Sequence, residues 1–186
     1  MKKIKKNKTI AIFCGSKLGE RDIYEKEVTT MATLLSDNGF NIIYGGGKIG
    51  LMGVLYKIYT NLNAKIFGII PNFLNKPEIR QKNLKTLQVV SSLHQRKILM
   101  IKKADIFIIL PGGFGTLDEL FEILTLNQLN LYDKKVIIFN ISNYWKNLKL
   151  LIKTMHKEGF LYRQDINNII WVNNNNHLKK ILNKLS

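Results

Sequence analysis

A chain of 186 residues that is 46% hydrophobic and 23% charged is long enough for one domain with a sizeable core, which excludes wholesale disorder. Lys and Arg outnumber Asp and Glu by 29 to 13, for a net charge of +16. These bases are scattered over every segment outside a basic tail, Met1–Lys8, so no nucleic-acid partner is expected and the positive field instead favours a small anion.

In chain order, the tail reads as frayed, and the apolar run Thr9–Cys14 reads as a buried strand too short for a signal peptide. Asp22–Asp37 carries Val28, Met31, Ala32 and Leu35 at helical spacing, with Gly39 just beyond its end. Phe40–Tyr44 is a second strand, followed by Gly45, Gly46 and Gly47. Leu51–Leu62 is a helix, Lys65–Ile70 a third strand closed by Pro71, and Asn72–Lys85 an irregular polar loop. Helices over Ser92–Lys103, Thr116–Leu129, Tyr144–Lys157 and His177–Leu185 alternate with strands at Asp105–Leu110, Lys135–Phe139 and Ile169–Val172. The strands are continuous apolar runs, as in a parallel sheet covered by helices on both faces. The expected fold is therefore α/β: a Rossmann-like, doubly wound parallel sheet, with residues 9–186 as a single nucleotide-binding domain. Ligands bind outside the carboxyl ends of strands in such sheets. No run approaches the roughly 20 apolar residues of a membrane span, and one cysteine, Cys14, allows no internal disulfide. A soluble cytoplasmic protein with no membrane partner follows.

Chemistry concentrates in Pro111-Gly112-Gly113-Phe114-Gly115-Thr116-Leu117-Asp118-Glu119, between a strand and an amphipathic helix. Glycines let backbone N–H groups approach an anion, and a helix start adds free donors and positive partial charge. This is a phosphate site by its physics. Glu119 has two readings: a carboxylate beside a phosphate cradle, or the partner of Thr116 in a capping box. A second cluster, Gly45-Gly46-Gly47-Lys48-Ile49-Gly50, matches the dinucleotide fingerprint through Gly45, Gly47 and Gly50. It lacks the acid some 20 residues later that would hold ribose hydroxyls, which argues against a nicotinamide dehydrogenase; Gly45, Gly46 and Gly47 remain candidate contacts. In His94-Gln95-Arg96-Lys97, two bases at a helix start oppose the helix dipole, a local cost that a bound anion offsets. His94, His156 and His177 have no metal-ligand spacing, and one Cys builds no thiolate site, so neither a metal nor a redox cofactor is expected.

Together these segments, with Phe13-Cys14-Gly15-Ser16 and Leu51-Met52-Gly53, resemble the LOG family of cytokinin riboside 5′-monophosphate phosphoribohydrolases, also labelled lysine decarboxylases. The resemblance runs from about Thr9 to Val172. It implies Arg96 and Glu119 as catalytic residues. It further implies Lys97, Gly113, Phe114, Gly115, Thr116, Leu117 and Asp118 around the nucleotide, with Glu78 and Thr125 as further contacts. It implies a homodimer with the site near the subunit interface, and hydrolysis of a nucleoside 5′-monophosphate to free base and ribose 5-phosphate. A non-catalytic nucleotide or cofactor carrier on the same fold is the alternative. Three features depart from the family pattern: Lys48 in the glycine run, Asp118 in place of Glu, and a basic, glycine-poor stretch at Arg80–Lys85.

Overall fold

The computed structural model describes residues 8–185. The basic tail lies outside the described residues except for Lys8, whose carbonyl accepts from the Asn41 N–H at 3.0 Å. Seven parallel strands form one sheet in the order β4-β3-β2-β1-β5-β6-β7. They are β1 Thr9–Phe13, β2 Asn41–Tyr44, β3 Ile66–Pro71, β4 Leu87–Val90, β5 Ile106–Ile109, β6 Lys135–Phe139 and β7 Ile169–Val172. The helices are α1 Ile23–Asp37, α2 Gly50–Asn61, α3 Leu93–Lys103, α4 Phe114–Gln128, α5 Lys146–Lys157, α6 Arg163–Ile166 and α7 Asn175–Leu185. None is long and apolar enough to cross a membrane.

Successive strand side chains point to opposite faces, and here both faces are covered. Ile10 and Ile12 of β1 and Ile106 and Ile108 of β5 pack under α1, α2 and α7, in a layer with Val28, Met31, Leu35, Leu51, Leu55 and Leu178. Ala11, Phe13, Phe107 and Ile109 join the opposite layer, with Met100, Ile101, Leu120, Ile123 and Ile152 from α3, α4 and α5. This two-sided burial is why the strand sequences are apolar without alternation.

The sheet has one strand more than the sequence pattern indicates. β4 reads Leu-Gln-Val-Val and pairs only with β3, in a register that sets Gly68 opposite Leu87. As an edge strand it leaves Gln88 and Val89 exposed, so it carries no apolar signature. Its approach to β3 is close: a Cβ on Gly68 would fall 2.8 Å from Leu87 Cδ1. The one-turn helix α6 is likewise too short to have a period.

Strand order reverses between β1 and β5, and this switch point is where such sheets hold ligands. The two strand ends are tied there by Leu110 N–H donating to the Phe13 carbonyl at 2.9 Å and Gly15 N–H donating to the Pro111 carbonyl at 3.0 Å. The start of α2 is pressed against the same corner. Gly50 has φ +61°, and a Cβ on it would lie 2.3 Å from the Ser16 carbonyl carbon and 2.4 Å from Lys17 N. Left-handed backbone and backbone overlap both oppose any side chain here.

Gly50→Ala is therefore expected to lower stability by about 2–4 kcal/mol through strain and overpacking. Urea denaturation checks this: the midpoint falls while the m-value holds. An unchanged midpoint would mean that the corner has slack the packing does not show.

Candidate active site

At the switch point lies a cavity of about 350 Å³. The carboxyl end of β1 supplies Cys14, Gly15 and Ser16, α3 supplies Leu93 and Arg96, and the start of α4 supplies Gly113, Phe114, Gly115, Thr116 and Glu119. Gly45, Met52 and Leu74 close it from the β2 and β3 side.

Helix α4 begins at Phe114, two residues earlier than the periodicity indicates, with Gly113 as its N-cap and no side-chain cap. The capping-box reading of Thr116 and Glu119 is thereby corrected. Both residues lie inside the helix, 3% and 5% exposed, and neither closes its end. The early start has a physical consequence. The N–H groups of Phe114, Gly115 and Thr116 occupy the first helical positions, which have no intrahelical acceptor. No acid stands in that first turn, so its positive end is not neutralised from within.

Glu119 sits on the buried face of α4 and accepts a hydrogen bond from Nη2 of Arg96. Arg96 reaches it from the first turn of α3, whose start is independently secured. The Ser92 hydroxyl accepts from the Gln95 N–H at 3.1 Å, and the Gln95 side-chain oxygen accepts from the Ser91 N–H at 2.8 Å. Gln95 is thus a cap partner, which leaves Arg96 to point inward. Side-chain exposure is 14% for Arg96 and 6% for Glu119. Burial raises the Glu119 pKa above the ordinary carboxylate range, while the guanidinium pulls it back down by charge and hydrogen bond. The Arg96 Nε–H is also buried and has no hydrogen-bond partner among the described residues. The Cys14 thiol is pushed up strongly by burial and by the Glu119 charge, so it is a neutral wall of the cavity and not a thiolate nucleophile.

Lys97 and Asp118 face each other beside the cavity and do not line it. Lys97 Nζ donates to Asp118 Oδ2 at 2.9 Å and Oδ1 at 3.0 Å, and pairs with Glu122. Burial disfavours the Lys97 charge, but the bonds to Glu122 and Asp118 outweigh it and raise the pKa. Leu117 packs into the apolar layer over β5. Phe114 is 93% exposed, so its backbone is what serves the cavity floor.

Of the first glycine cluster, Gly45 lines the cavity. Gly46 and Gly47 instead hold the following segment: the Gly46 carbonyl accepts from Gln81 N–H at 2.9 Å, and Gly47 bridges Arg80. Lys48 belongs to the same seam, its N–H donating to the Ile79 carbonyl and its Nζ to the Pro77 carbonyl, both at 2.9 Å. The unusual lysine and the unusual basic segment therefore pack as one unit. Glu78 is exposed on that segment and does not line the cavity. Thr125 is exposed on α4 and lines a separate apolar cleft between α4, α5 and α6. Cys14, Gly15, Ser16, Met52, Leu74 and Leu93 line the cavity without having been singled out as site residues. For the first three the signal was present, as they follow the carboxyl end of the central strand, and Met52 lies in the Leu51-Met52-Gly53 segment of the family resemblance; for Leu74 and Leu93 the sequence carries none.

A family model described as "Possible lysine decarboxylase" matches residues 52–182. The cytokinin riboside 5′-monophosphate phosphoribohydrolase LOG1 of Arabidopsis thaliana is 38% identical over 156 residues, covering 84% of this chain and 73% of that protein. LOG3 of the same plant is 36% identical over 156 residues, with the same coverage. Among solved structures, the molybdenum cofactor binding protein of Rippkaea orientalis superposes with a TM-score of 0.73 over 97% of this chain and 98% of that chain, at 15% identity. The Moco carrier protein of Chlamydomonas reinhardtii gives 0.72 over 96% and 97%, at 12% identity. At such identities the structural likeness shows the fold alone.

Removing one member of a buried ion pair leaves the other charge uncompensated. Arg96→Met is expected to cost about 3 kcal/mol at neutral pH, and the double variant Arg96→Met, Glu119→Gln markedly less. The sign with pH follows from linkage. Without Arg96 the folded-state pKa of Glu119 rises further above its unfolded value, so stability falls as pH rises through that interval and returns as pH drops. Denaturation of the parent, Arg96→Met, Glu119→Gln and the double variant between pH 5 and 8, taken as roughly the stable range, checks this. Additive single-variant costs, or an Arg96→Met deficit that does not vary with pH, would contradict the coupling.

Proposed function

The chain belongs to the LOG family of cytokinin riboside 5′-monophosphate phosphoribohydrolases, and we propose that it hydrolyses the N-glycosidic bond of nucleoside 5′-monophosphates to free base and ribose 5-phosphate. The observation that carries this reading is that one cavity brings together an uncapped helix start and an ionisable, buried carboxylate. The amides of Phe114, Gly115 and Thr116 and the Thr116 hydroxyl suit a phosphoryl group, and Glu119 lies within the same cavity.

Cleaving the bond between the anomeric carbon and the base builds positive charge on the sugar ring, as in glycoside hydrolysis. Ionised Glu119 opposite that carbon stabilises the charge and accepts a proton from the attacking water. The water oxygen bonds to the anomeric carbon as the base departs with the bond electrons, and the base takes up the proton that Glu119 removed from the water, which returns Glu119 to its ionised form. Arg96 favours the ionised form of Glu119, against burial, which favours the neutral one. Its buried Nε–H is a further donor for a sugar or base oxygen or nitrogen, in a fork that lysine does not reproduce. The phosphoryl group, remote from the breaking bond, supplies binding energy that orients it. The substrates are AMP and its N6-isoprenylated analogues. No lysine lines the cavity, so the decarboxylase label has no amine there to form the aldimine that pyridoxal chemistry uses.

Lys97 serves this site by tying α3 to Asp118 and Glu122 of α4, the same two helices that carry Arg96 and Glu119. The assembly is a homodimer. Phe114 presents a nearly fully exposed ring beside the cavity, and the separate apolar cleft at Thr125 gives α4 a second apolar surface to offer another copy. Thr125 then takes part in binding as a residue given across the interface. With a single cysteine and no disulfide to form, the chain is suited to the reducing cytoplasm.

Purified protein incubated with AMP and with an isoprenylated analogue is expected to release free base from at least one, with adenosine a poor substrate. Glu119→Gln is expected to retain the fold and lose roughly 100-fold or more in rate. The rate of the parent is expected to fall as pH drops through a pKa above the ordinary glutamate range, because the ionised form works. Chromatography of the released base measures all three. Nucleotide binding without any base release would assign the carrier role instead, and near-normal turnover by Glu119→Gln would remove the carboxylate from the chemistry.

A further inference from the structure

The turn between β6 and α5 adopts a backbone that the hydrolytic reading leaves unexplained. Ser142 and Asn143 are both left-handed, with φ of 50° and 61°, a conformation disfavoured by any residue with a Cβ and retained where the surroundings over-determine it. They do so here. The Asn140 side chain, in a residue 5% exposed, accepts from the Trp145 N–H at 2.7 Å. The N–H groups of Asn143 and Tyr144 donate to the carbonyls of Asn140 and Ile141 at 3.2 and 3.0 Å. Arg21 reaches over from the segment before α1 to donate to the Ser142 hydroxyl at 2.6 Å.

The result is a fixed position for Tyr144. Its ring stands edge-on to Tyr24 at 5.8 Å and to Trp145 at 4.7 Å between centroids. Its hydroxyl donates to the Gly112 carbonyl at 2.6 Å. Gly112 itself has no room for a side chain: a Cβ there would lie 2.1 Å from Thr116 Oγ1 and 2.9 Å from Gly15 N. The peptide bond that follows is trans, since the chain has no cis bonds among the described residues. A trans unit points its N–H opposite to its C=O. Holding the Gly112 carbonyl toward Tyr144 therefore turns the Gly113 N–H away from Tyr144. Tyr144 and Gly112 wall a second cavity of about 390 Å³, whereas Gly113 belongs both to that cavity and to the one holding Arg96 and Glu119. The Gly113 N–H has no acceptor among the described residues.

We propose that Tyr144 is a positioning residue for the phosphoryl subsite: its hydroxyl sets the Gly112–Gly113 peptide so that the Gly113 N–H joins the α4 amides in receiving the 5′-phosphate. The identity of the substrate in this statement rests on the hydrolase reading; the peptide orientation does not. Tyr144→Phe keeps both ring contacts and removes only the donor. Tyr24→Phe is the control, because the Tyr24 hydroxyl makes no hydrogen bond among the described residues and lines the same second cavity.

Titration calorimetry with ribose 5-phosphate, a product that is not consumed, reports the subsite whether or not AMP is turned over. Tyr144→Phe is expected to bind it about fivefold more weakly, the scale of one partly exposed hydrogen bond. The KM for AMP is expected to rise by the same factor with kcat held within about twofold, the signature of lost uniform binding. Tyr24→Phe is expected to match the parent, and thermal unfolding midpoints of all three are expected to agree. Unchanged ribose 5-phosphate affinity in Tyr144→Phe, equal weakening in Tyr24→Phe, or a parent that does not bind ribose 5-phosphate would each overturn the proposal. A parent that binds ribose 5-phosphate with this dependence on Tyr144 but releases no base from AMP would overturn the hydrolase reading and leave the positioning role standing.

Discussion

A carboxylate that is almost wholly buried, held by a single guanidinium, is the constraint around which the site is arranged. Burial favours the neutral form of Glu119 and the guanidinium favours the ionised one, while Arg96 alone would be an orphaned cation. Attraction between such charges offsets their lost hydration only when geometry is good. The structure meets that demand with two helices that pack on the same face of the sheet. Capping at Ser92 and Gln95 sets the direction of α3, and the Lys97 contacts to Asp118 and Glu122 tie it to α4. The fold is thus asked to keep a costly charge in place, and a structural salt bridge of this kind is weak justification in itself. A function that needs an ionised carboxylate out of water supplies the justification.

The second requirement is close approach. The chain must bring two strand ends and two helix starts within one ligand's width of each other. Backbone contacts take the place of side chains here, as Gly50 and Gly112 each sit where a Cβ would overlap a neighbour and Gly15 where it would be tightly crowded. What this exposes is a ring of N–H groups around the first turn of α4, with the Thr116 hydroxyl among them. The negative member of the pair stands deeper along the same helix. A ligand with phosphate at one end and a developing cation near the other fits that polarity, and the relatives' named activity agrees with it.

Most of the architecture was legible because two-sided burial writes itself into strands as unbroken apolar runs, and amphipathic helices write a period. β4 and α6 were not legible, since an edge strand with half its side chains in water and a single helical turn carry neither signal. The site was legible in part. Pro111–Glu119 stood out as a glycine-rich turn between strand and helix, and in the structure Gly113, Phe114, Gly115, Thr116 and Glu119 from it line one cavity. Glu119 could not be told from a cap until the helix was seen to start at Phe114, since one residue pair at three-residue spacing serves both purposes. Lys97 and Asp118 showed only their charges; that they answer each other and not the cavity depends on how α3 lies against α4. Tyr144 gave no sign in the sequence, because its role comes from a left-handed turn at Ser142 and Asn143, and although Asn accepts that backbone readily, Ser does not signal it.

The most direct measurement is a crystal structure of the chain with ribose 5-phosphate bound. The account predicts the phosphorus within hydrogen-bonding reach of the amides from Gly113 to Thr116, with the anomeric carbon turned toward the Glu119 carboxylate. An anion lodged against the Lys48–Arg80 segment, with the Arg96–Glu119 pair closed off from the sugar, would contradict it.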